Sequence, residues 1–309
     1  MKQSFYSNGK LLITGEYVVL DGAKALAIPT QKGQSLEVKE NNTGILTWNS
    51  FDHNAQIWYS TQIATKDFSN NIAPKGNSKF DTTLFKILWT AKQYNPTFLI
   101  QNKGYEIETY LTFDRLWGLG TSSTLINNIA QWAKINPFQL LHQSFGGSGY
   151  DIACASNNTP IFYQLNKNKN TTKVIKTTFE PAFHEFLFFI YLKEKKDSKD
   201  AIKNYRNQSK ENLSYTINQI NILTNSIVQC TNLLAFENLI NDHEKLIASL
   251  LKTTTVKQDR FKDYSGAVKS LGGWGGDFVL ATGAKENMDY FQKKGYHTII
   301  PFNKMIYKG

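Results

Sequence analysis

The stretch that decides the fold is Leu116-Trp117-Gly118-Leu119-Gly120-Thr121-Ser122-Ser123-Thr124-Leu125. Two glycines flank a leucine, hydroxyl residues follow, and apolar residues then recur at helical spacing up to Ala133. We therefore predict a glycine loop that enters a helix, with Thr121 or Ser122 as the N-cap. Backbone N–H groups at such a helix start lie at the positive end of the helix dipole, where a phosphate binds readily. An ordinary capped turn has the same pattern, so the rest of the chain must decide between the two.

This loop differs from two common phosphate-binding motifs. It is not a Walker A loop, because no Gly-Lys-Ser/Thr follows the glycines. It is not the dinucleotide fingerprint of a Rossmann fold either, because the third glycine is missing.

Composition indicates a folded globular protein. The chain has 309 residues, of which 41% are hydrophobic and 13% aromatic, and this suits one large or two medium domains. Its two cysteines, Cys154 and Cys230, lie in unrelated contexts and form no metal or redox motif, which fits a reducing compartment. The N-terminal apolar run is broken by Glu16, and the later run from Phe186 to Leu192 is too short to cross a bilayer. We therefore expect a soluble, cytoplasmic protein with no membrane partner.

The charge of the chain favours an anionic ligand. The formal net charge is +10, yet the densest basic segment, Lys193-Glu194-Lys195-Lys196, is short and interrupted. A small polyanionic substrate explains this pattern better than nucleic acid, with the positive charge used for electrostatic steering. A general bias of the proteome towards lysine would produce the same total.

The first half of the chain is predicted to open with a β-rich layer. Asn8-Gly9 and Asp21-Gly22 are typical hairpin turns, the second one after a β-type run from Tyr17 to Leu20. Asp81 is a candidate cap of a helix that ends near Asn95-Pro96, and Asn136-Pro137 predicts the start of another. Further strands are predicted at Ser35–Lys39, Ile45–Trp48, Gln56–Tyr59, Tyr105–Leu111 and Ile161–Leu165.

The second half is predicted to be mixed α and β. The polar segment from Asn166 to Thr172 suggests a connection between domains. Helices are expected from Asp197 or Ser198 to about Leu251 and around Glu286–Lys293. Strands are expected at Phe186–Leu192, Phe278–Ala281 and Thr298–Pro301. The predicted fold class is therefore α+β.

Three glycine-rich segments and one aspartate stand out together. The first runs from Gly9 to Gly22, the second from Gly118 to Ser123 and the third from Gly272 to Asp277, with Asp151 in Gly149-Tyr150-Asp151 between the last two. In this order and spacing the sequence resembles the GHMP kinases, the superfamily of galactokinase, homoserine kinase, mevalonate kinase and phosphomevalonate kinase. The resemblance spans nearly the whole chain, and the second motif is the most specific.

The resemblance implies a two-domain fold. The N-terminal domain, 1–166, is expected to share its β/α fold with certain ribosomal proteins and to carry the ATP phosphate loop. The C-terminal domain, 167–309, is expected to be a ferredoxin-like α+β domain. The segments Gly15-Glu16-Tyr17-Val18-Val19-Leu20 and Gly147–Ala153 are most similar to the phosphomevalonate kinase branch. Mevalonate kinases place a metal-binding Glu on the helix before the catalytic Asp, where this chain has Leu140.

The resemblance implies that Asp151 and Lys10 are catalytic. Asp151 would take the proton of the acceptor hydroxyl or orient that hydroxyl. By its spacing alone, Asp151 is equally suited to cap a helix that starts at Ile152. Lys10 would lie beside Asp151 and the transferring phosphate, where a cation stabilises developing charge. A solvated lysine after a turn is its plain alternative.

The resemblance also assigns the binding residues. Gly118, Leu119 and Gly120 would wrap the ATP phosphates with their backbone, and Thr121 or Ser122 would offer a hydroxyl to Mg²⁺ or to the β-phosphate. The implied cofactors are thus ATP and Mg²⁺. The implied ATP-binding set is Gly118, Leu119, Gly120, Thr121, Ser122 and Ser123. The implied substrate-binding set is Glu16, Tyr17, Ser148, Gly149, Gly272, Gly273, Gly275 and Gly276.

The expected function is ATP-dependent phosphorylation of a small anionic metabolite, with phosphomevalonate or mevalonate as the first candidates. A sugar or homoserine-type kinase and a diphosphomevalonate decarboxylase-like enzyme are the alternatives of the same fold. A non-catalytic nucleotide- or RNA-binding protein is the alternative of another class, and salt-dependent RNA binding without ATP turnover would favour it. The expected assembly is a monomer or a homodimer.

Overall fold

The computed structural model describes residues 2–166, 171–194, 198–207, 211–272, 274 and 276–307. Packing divides the chain into two compact units that interleave in sequence. Unit 1 consists of Met1–Gly9, Lys32–Arg115 and Leu119–Ser156, and unit 2 consists of Lys10–Gln31, Leu116–Gly118 and Asn157–Gly309. The predicted α+β class is confirmed, since both units combine sheets and helices. The expected domain boundary at 166 stays a prediction, because these units are defined by packing alone.

Unit 1 is a sheet covered by helices. Its strands are the first part of β1 (Lys2–Thr14), the second part of β2 (Ala25–Asn41), β3 (Ile45–Phe51), β4 (Ile57–Ala64) and β5 (Gly104–Leu111). The order is β4-β3-β5-β2, in which β3 and β5 pair in parallel and the other two pairs are antiparallel, and β1 pairs with β2. Its helices are α1 (Lys79–Tyr94), α2 (Thr121–Ala133), α3 (Pro137–Ser144) and α4 (Tyr150–Ala155).

The core of unit 1 lies between this sheet and the helices. Inward-facing residues alternate along β2 and β5, for example Leu36, Val38 and Ile107, as a sheet with one covered face requires. They pack against apolar faces of the helices, including Leu88 of α1 and Ile126 of α2. The start of α2 is thereby held by a large apolar core.

Unit 2 contains a ladder and a second sheet. The first part of β2 pairs with β6 (Ile161–Asn166), and β6 pairs with β7 (Thr171–Lys176). The second sheet is antiparallel in the order β11-β8-β10-β9, with β8 (Leu187–Tyr191), β9 (Val268–Leu271), β10 (Phe278–Thr282) and β11 (Ile299–Pro301). The helices are α5 (Ser198–Arg206), α6 (Leu213–Gln229), α7 (Leu233–Leu251), α8 (Val256–Arg260), α9 (Asp289–Lys293) and α10 (Phe302–Met305).

Most predicted elements of unit 2 are confirmed. The expected long helical region resolves into α5, α6 and α7, with Ser198 as the first residue of α5; Asp197 lies outside the described residues. The helix expected around Glu286–Lys293 is a 3-10 turn, Lys285–Met288, followed by α9. None of the helices in the described part of the chain is long and apolar enough to span a bilayer.

The hairpin predicted at Asn8-Gly9 is wrong. β1 runs straight through both residues and continues to Thr14. Every residue of β1 from Ser7 onwards is buried, so the strand is covered on both faces and no turn is exposed there. Tertiary packing therefore overrides the local turn preference of Asn-Gly.

The β-type run from Tyr17 to Leu20 does not form a strand either. Tyr17 has a φ of +61° and precedes a 3-10 helix, Val18–Asp21, that ends at Gly22 in the left-handed region. Val18 and Val19 are buried, and Val18 packs with apolar residues of α6 and α7. The branched side chains here serve packing, and the strand propensity of the run is not expressed.

Two predicted helix caps shift by one to three residues. Ser78 caps α1, and Asp81 is the third helical residue of a reciprocal capping box with Ser78. Gly120 takes the N-cap position of α2, ahead of Thr121 and Ser122. The cap predicted at Asn136, with Pro137 as the first helical residue, is confirmed.

Candidate active site

A pocket in unit 2 is lined by three segments that are far apart in sequence. One is the middle of β1, the second is the beginning of the glycine loop and the third surrounds the glycine-rich turn between β9 and β10. The lining residues are Lys10, Leu11, Leu12, Trp117, Gly118, Leu271, Gly272, Asp277 and Phe278. Each of the three glycine-rich motifs thus contributes residues to one concave site.

Lys10 is the cation of this pocket. It is only 9% exposed, and its Nζ donates a hydrogen bond to the carbonyl of Gly118 at 3.1 Å. The burial excludes the alternative of an ordinary solvated lysine after a turn.

Asp277 supplies the carboxylate of the pocket. It is buried, and it adopts a φ of +50°, which is uncommon for any residue except glycine and which Asp and Asn tolerate best. Its backbone N–H donates to the carbonyl of Glu194 at 2.7 Å, and its carbonyl accepts from Leu192 N–H at 2.8 Å. Sequence reasoning missed Asp277 as a site residue, although an Asp that directly follows a glycine-rich turn was the available signal.

Gly118 and Gly272 allow the chain to approach this carboxylate. Their φ angles are +66° and +73°, respectively, in the region that favours glycine. A Cβ on Gly118 would lie 2.4 Å from Cγ and Oδ2 of Asp277, closer than atoms can come. A Cβ on Gly272 would lie 3.5 Å from the same Oδ2. Gly118 is therefore needed for the close approach to Asp277, and Gly272 is favoured by its positive φ angle.

Aromatic packing fixes the start of the glycine loop. The ring of Trp117 packs edge-on to Phe278, with 5.5 Å between centroids, and against Tyr191 at 6.2 Å. The hydroxyl of Tyr191 donates to the carbonyl of Leu116 at 3.2 Å. Side chains of β8 and β10 thus hold the residues just before Gly118.

The rest of the glycine loop belongs to unit 1. Leu119 is buried, and Gly120, with a φ of +92°, begins α2 without any side-chain cap. Ser123 donates its hydroxyl to the carbonyl of Gly120 at 2.8 Å. Thr121 is half-buried and Ser122 is exposed. A helix of 13 residues whose N-cap residue makes no side-chain hydrogen bond to the first turn is a good place for an anion.

Asp151 lies in the first turn of α4. Gly149, with a φ of +87°, is the N-cap of α4, and Ser148 before it is buried. Asp151 is half-buried and is the second residue of the helix. The alternative that Asp151 caps a helix starting at Ile152 is therefore wrong.

A buried ionic cluster in unit 2 joins the first and third motifs. Lys269 of β9 is fully buried, and its Nζ lies 2.5 Å from Oε1 of Glu16 and 3.5 Å from Oε1 of Glu244. Nε2 of His243 accepts a hydrogen bond from Gly15 N–H at 3.0 Å and lies 3.3 Å from Oε2 of Glu16. Glu16 is only 1% exposed, so in this structure its carboxylate meets protein groups.

Burial shifts the pKa values of the titratable groups in this cluster. Burial is the main reason that the pKa of Glu244 is raised to about 8; the positive charge of Lys269 opposes this rise and the Glu16 side chain adds to it. Burial lowers the pKa of His243, and the positive charge of Lys269 lowers it further. At neutral pH Glu244 is therefore mostly protonated and His243 is neutral, while the side chain of Glu16, whose pKa burial also raises, pairs with Lys269.

Tyr17 and Trp274 make a second link between the same motifs. The hydroxyl of Tyr17 accepts a hydrogen bond from Trp274 N–H at 3.1 Å, and its ring lies 5.5 Å from that of Tyr205. Burial raises the pKa of Tyr17, so its hydroxyl is protonated at neutral pH. Gly276 belongs to the same turn as Trp274, whereas Gly273 and Gly275 lie outside the described residues.

Solved structures with this architecture cover nearly the whole chain. A mevalonate kinase has a TM-score of 0.71 at 16% identity, with 99% of this chain and 100% of that chain aligned. A Lactococcus lactis galactokinase complexed with galactose has a TM-score of 0.71 at 12% identity, covering 100% and 94%. A Streptococcus pneumoniae phosphomevalonate kinase in complex with phosphomevalonate and AMPPNP has a TM-score of 0.68 at 15% identity, covering 96% and 99%.

The chain has the GHMP kinase fold. No protein-family model and no curated protein matches its sequence. The fold expected from the three glycine-rich motifs is confirmed. The roles of Lys10, Asp151 and the other predicted site residues stay predictions.

In this GHMP kinase fold, replacing Gly118 with Ala is expected to perturb the pocket. The added Cβ forces Asp277 to move, and the positive φ adds about 1–2 kcal/mol of strain for a non-glycine residue. We expect a loss of stability larger than the strain alone and, for a nucleotide-binding chain, at least about tenfold weaker nucleotide binding, equivalent to about 1.4 kcal/mol. Calorimetry and titration with MgADP measure the two effects.

Gly146→Ala is the matched control for this variant. Gly146 has a φ of +82°, but a Cβ there meets no atom within 4 Å. Gly146→Ala therefore introduces similar backbone strain without a steric contact. Equal stability and equal nucleotide affinity in the two variants would contradict the assigned contact between Gly118 and Asp277.

The ionic cluster predicts a pH dependence of stability that Glu244→Gln removes. Because the pKa of Glu244 is raised from about 4.5 to about 8 in the folded state, its stabilising contribution is complete below pH 4.5 and is lost as the pH rises towards 8. The wild type should lose up to roughly 4 kcal/mol relative to Glu244→Gln between pH 5 and pH 9. Urea unfolding of both proteins at pH 5, 7 and 9 measures this difference.

The exposed carboxylate of Glu286 provides the control for this pH series. Glu286→Gln should leave the shape of the pH curve unchanged. If the curves of the wild type and Glu244→Gln run parallel from pH 5 to pH 9, Glu244 is not a protonated member of the cluster.

Proposed function

We propose that this chain is an ATP-dependent kinase that phosphorylates a small anionic metabolite. The observation that carries the proposal is the pocket in which Lys10, Gly118 and the Gly272–Asp277 turn meet. A phosphoryl-transfer site needs a cation, close backbone N–H groups and small residues around polyanionic phosphates. The GHMP kinase fold supports the same function, because its solved examples include three kinds of small-molecule kinase.

The proposed reaction transfers the γ-phosphoryl group of ATP. An acceptor oxygen forms a bond to the γ-phosphorus while the bond to the bridging β–γ oxygen breaks, and ADP leaves with that electron pair. If the acceptor is an alcohol, its proton goes to a base, for which Asp151 is our candidate. If the acceptor is a phosphate group, the product is an anhydride, no hydroxyl proton is released, and Asp151 positions the acceptor.

The glycine loop would hold the nucleotide in this proposal. The backbone N–H groups at the start of α2, from Thr121 onwards, would face the phosphates. Lys10 would compensate charge on the transferring group. The described residues contain no group of three His, Cys, Asp or Glu side chains that suits a resident metal ion. We propose that Mg²⁺ arrives with ATP, with a hydroxyl of Thr121 or Ser122 as an added ligand, since Mg²⁺ usually retains water and phosphate ligands.

Phosphomevalonate or mevalonate is our first candidate for the acceptor. The net charge of +10 favours anionic substrates through steering, and Lys10 lines the pocket. The first motif and the segment Gly147–Ala153 resemble the phosphomevalonate kinase branch. The residues that we propose on the substrate side remain Glu16, Tyr17, Ser148, Gly149, Gly272, Gly273, Gly275 and Gly276.

A screen for acceptor-dependent ADP release tests the proposal. Purified chain and MgATP are supplied in parallel with mevalonate, phosphomevalonate, diphosphomevalonate, homoserine and hexoses, and Lys10→Met serves as the background control. Release with phosphomevalonate or mevalonate, absent in the control, is the expected result. Release with a sugar or homoserine alone would move the chain to another substrate class, and decarboxylation of diphosphomevalonate would replace the kinase assignment. Salt-dependent RNA binding without ADP release would overturn the proposal.

A further inference from the structure

Helix α2 carries an unusual set of buried polar residues in unit 1. Asn127 is 3% exposed and Asn128 is fully buried, although asparagine is an unfavourable residue inside a helix. Burying an amide costs free energy unless its donor and acceptor atoms find partners. The hydrogen bonds of these two residues to other elements must therefore account for their presence.

Ser7 of β1 is the centre of these hydrogen bonds. Its hydroxyl donates to Oδ1 of Asn128 at 2.7 Å and accepts from Nδ2 of Asn127 at 2.8 Å, with Nε2 of Gln131 at 3.5 Å. A serine hydroxyl has one donor and two acceptor positions, so these three contacts use its full capacity. Ser7 is 1% exposed, which shields the contacts from water.

Asn127 extends the cluster to helix α4. Its Nδ2 also donates to the carbonyl of Ala155 at 3.3 Å, and its Oδ1 accepts from the hydroxyl of Ser156 at 2.8 Å. We call Ser7, Asn127, Asn128 and Ser156 the Ser7 cluster. It connects β1, α2 and the end of α4 through directional bonds that apolar packing alone would not provide.

Each element that meets in the Ser7 cluster carries one part of the proposed machinery. β1 continues for three residues from Ser7 to Lys10, about 10 Å along a strand. α2 begins six residues before Asn127, about 9 Å along a helix, where the glycine loop ends. Asp151 lies five residues before Ser156, and residues 151–155 are all helical in α4. Loss of the hydrogen bonds in the cluster therefore allows these elements to move independently of one another.

We propose that Ser7 and Asn127 are positioning residues that align the first part of β1, the phosphate-loop helix and the Asp151 helix, all of them in unit 1, for phosphoryl transfer. This inference rests on the proposed kinase function. Neither residue touches the reacting atoms, and each acts through the element to which it belongs. Misplacement of a catalytic group by 1 Å lowers rates by up to about 100-fold, so moderate losses of kcat follow when the cluster is broken.

The test uses the full-length chain with Ser7→Ala, Asn127→Leu and Ser7→Thr. Ser7→Ala removes the central hydroxyl, Asn127→Leu removes the amide at similar volume, and Ser7→Thr keeps a hydroxyl. Both disruptive variants should lower kcat about tenfold while KM for MgATP changes less than about threefold, and Ser7→Thr should restore most of kcat. The double variant Ser7→Ala/Asn127→Leu should lose little more than either single variant, because both remove the same contact.

Leu88→Ala is the control for a purely structural effect. Leu88 is fully buried in α1, contacts the core of unit 1 and belongs to no part of the Ser7 cluster. The truncation destabilises the core by a cavity, and kcat measured well below the melting temperature should stay at the wild-type value. If Ser7→Ala and Asn127→Leu keep kcat within twofold of Leu88→Ala, the positioning role is overturned.

Hydrogen exchange separates failure of this inference from failure of the proposed function. Asn127→Leu should raise amide exchange in Tyr150–Ala155 of α4 at least about tenfold, whereas Leu88→Ala should not do so selectively. If the wild type transfers no phosphoryl group to any acceptor but α4 exchange responds as described, the kinase function fails and the mechanical coupling stands. If α4 exchange is the same in Asn127→Leu as in the wild type, the coupling itself is refuted, whether or not the chain is a kinase.

Discussion

Replacing Asp151 with Asn is expected to lower kcat for transfer to an alcohol acceptor by at least about 100-fold, with nucleotide binding nearly unchanged. The variant keeps the shape of the side chain but removes the negative charge and with it the capacity to accept a proton as a carboxylate. Asp151 is half-buried in the first turn of α4, which begins directly after the left-handed residue Gly149. The helix fixes the backbone of Asp151, so the loss reports on the carboxylate itself.

The size of this loss also distinguishes the two kinds of acceptor. An alcohol must lose its proton during the transfer, and general base catalysis contributes typically 10²–10⁴-fold. A phosphate acceptor has no such proton at neutral pH, so Asp151→Asn should then cost clearly less and raise KM for the acceptor. Steady-state kinetics with each active acceptor, together with MgADP titration, measure kcat, KM and nucleotide affinity separately.

Asp289→Asn is the matched control for Asp151→Asn. Asp289 is also an aspartate in the first turn of a short helix, α9, and it is exposed. Its replacement should leave kcat and KM at wild-type values. Turnover of Asp151→Asn within about threefold of the wild type, with every acceptor that the wild type uses, would remove Asp151 from the mechanism.

The fold could be predicted from the sequence because its motifs reflect local backbone requirements. Gly118, Gly120 and Gly272 all adopt positive φ angles, which is why glycine recurs at these positions and can be recognised without a structure. Asn136-Pro137 and the strands near Ser35–Lys39 likewise follow from local capping and alternation.

The secondary-structure predictions that were wrong or missing depend on tertiary packing, which local sequence patterns do not reveal. Asn8-Gly9 has the pattern of a hairpin turn but lies in a strand that is buried on both faces. β7 was not predicted, because its residues Thr171–Lys176 are all exposed and polar residues surround its short apolar pair. The extended backbone of β7 depends on pairing with β6 and has no hydrophobic alternation of its own.

The candidate site shows the same division between local and tertiary information. Lys10 and the glycines could be proposed from the motifs. Asp277 was missed because its importance depends on the approach of Gly118 from a distant part of the chain. The partners of Glu16 were missed for the same reason, since His243, Glu244 and Lys269 come from α7 and β9 and form no sequence motif.

Replacing Lys269 with Met is expected to produce the largest loss of stability, about 3–5 kcal/mol at pH 7.5. Lys269 is fully buried and donates to Oε1 of Glu16 at 2.5 Å and to the carbonyl of Ser270 at 2.9 Å. Met fills a similar volume without charge, so it leaves the buried carboxylate of Glu16 without its cation. Urea unfolding followed by tryptophan fluorescence measures the free energy of unfolding.

The loss should be smaller at acidic pH. Without Lys269, the pKa of Glu16 rises further because burial already raises it and the opposing cation is gone. The folded state then takes up a proton that the unfolded state releases above about pH 4.5, so the penalty grows as the pH rises. Measurements at pH 5 and pH 8 should therefore show the larger loss at pH 8.

Two further variants separate the buried charge from general effects of the substitution. Lys39→Met removes the lysine of an exposed pair with Glu106 and should leave the unfolding midpoint almost unchanged. Glu16→Gln combined with Lys269→Met removes both charges and should recover part of the stability lost in Lys269→Met, since the cost comes chiefly from the isolated carboxylate. If Lys269→Met is as stable as Lys39→Met, or if the double variant is less stable than Lys269→Met at pH 8, the Glu16–Lys269 pair does not hold the first motif to β9.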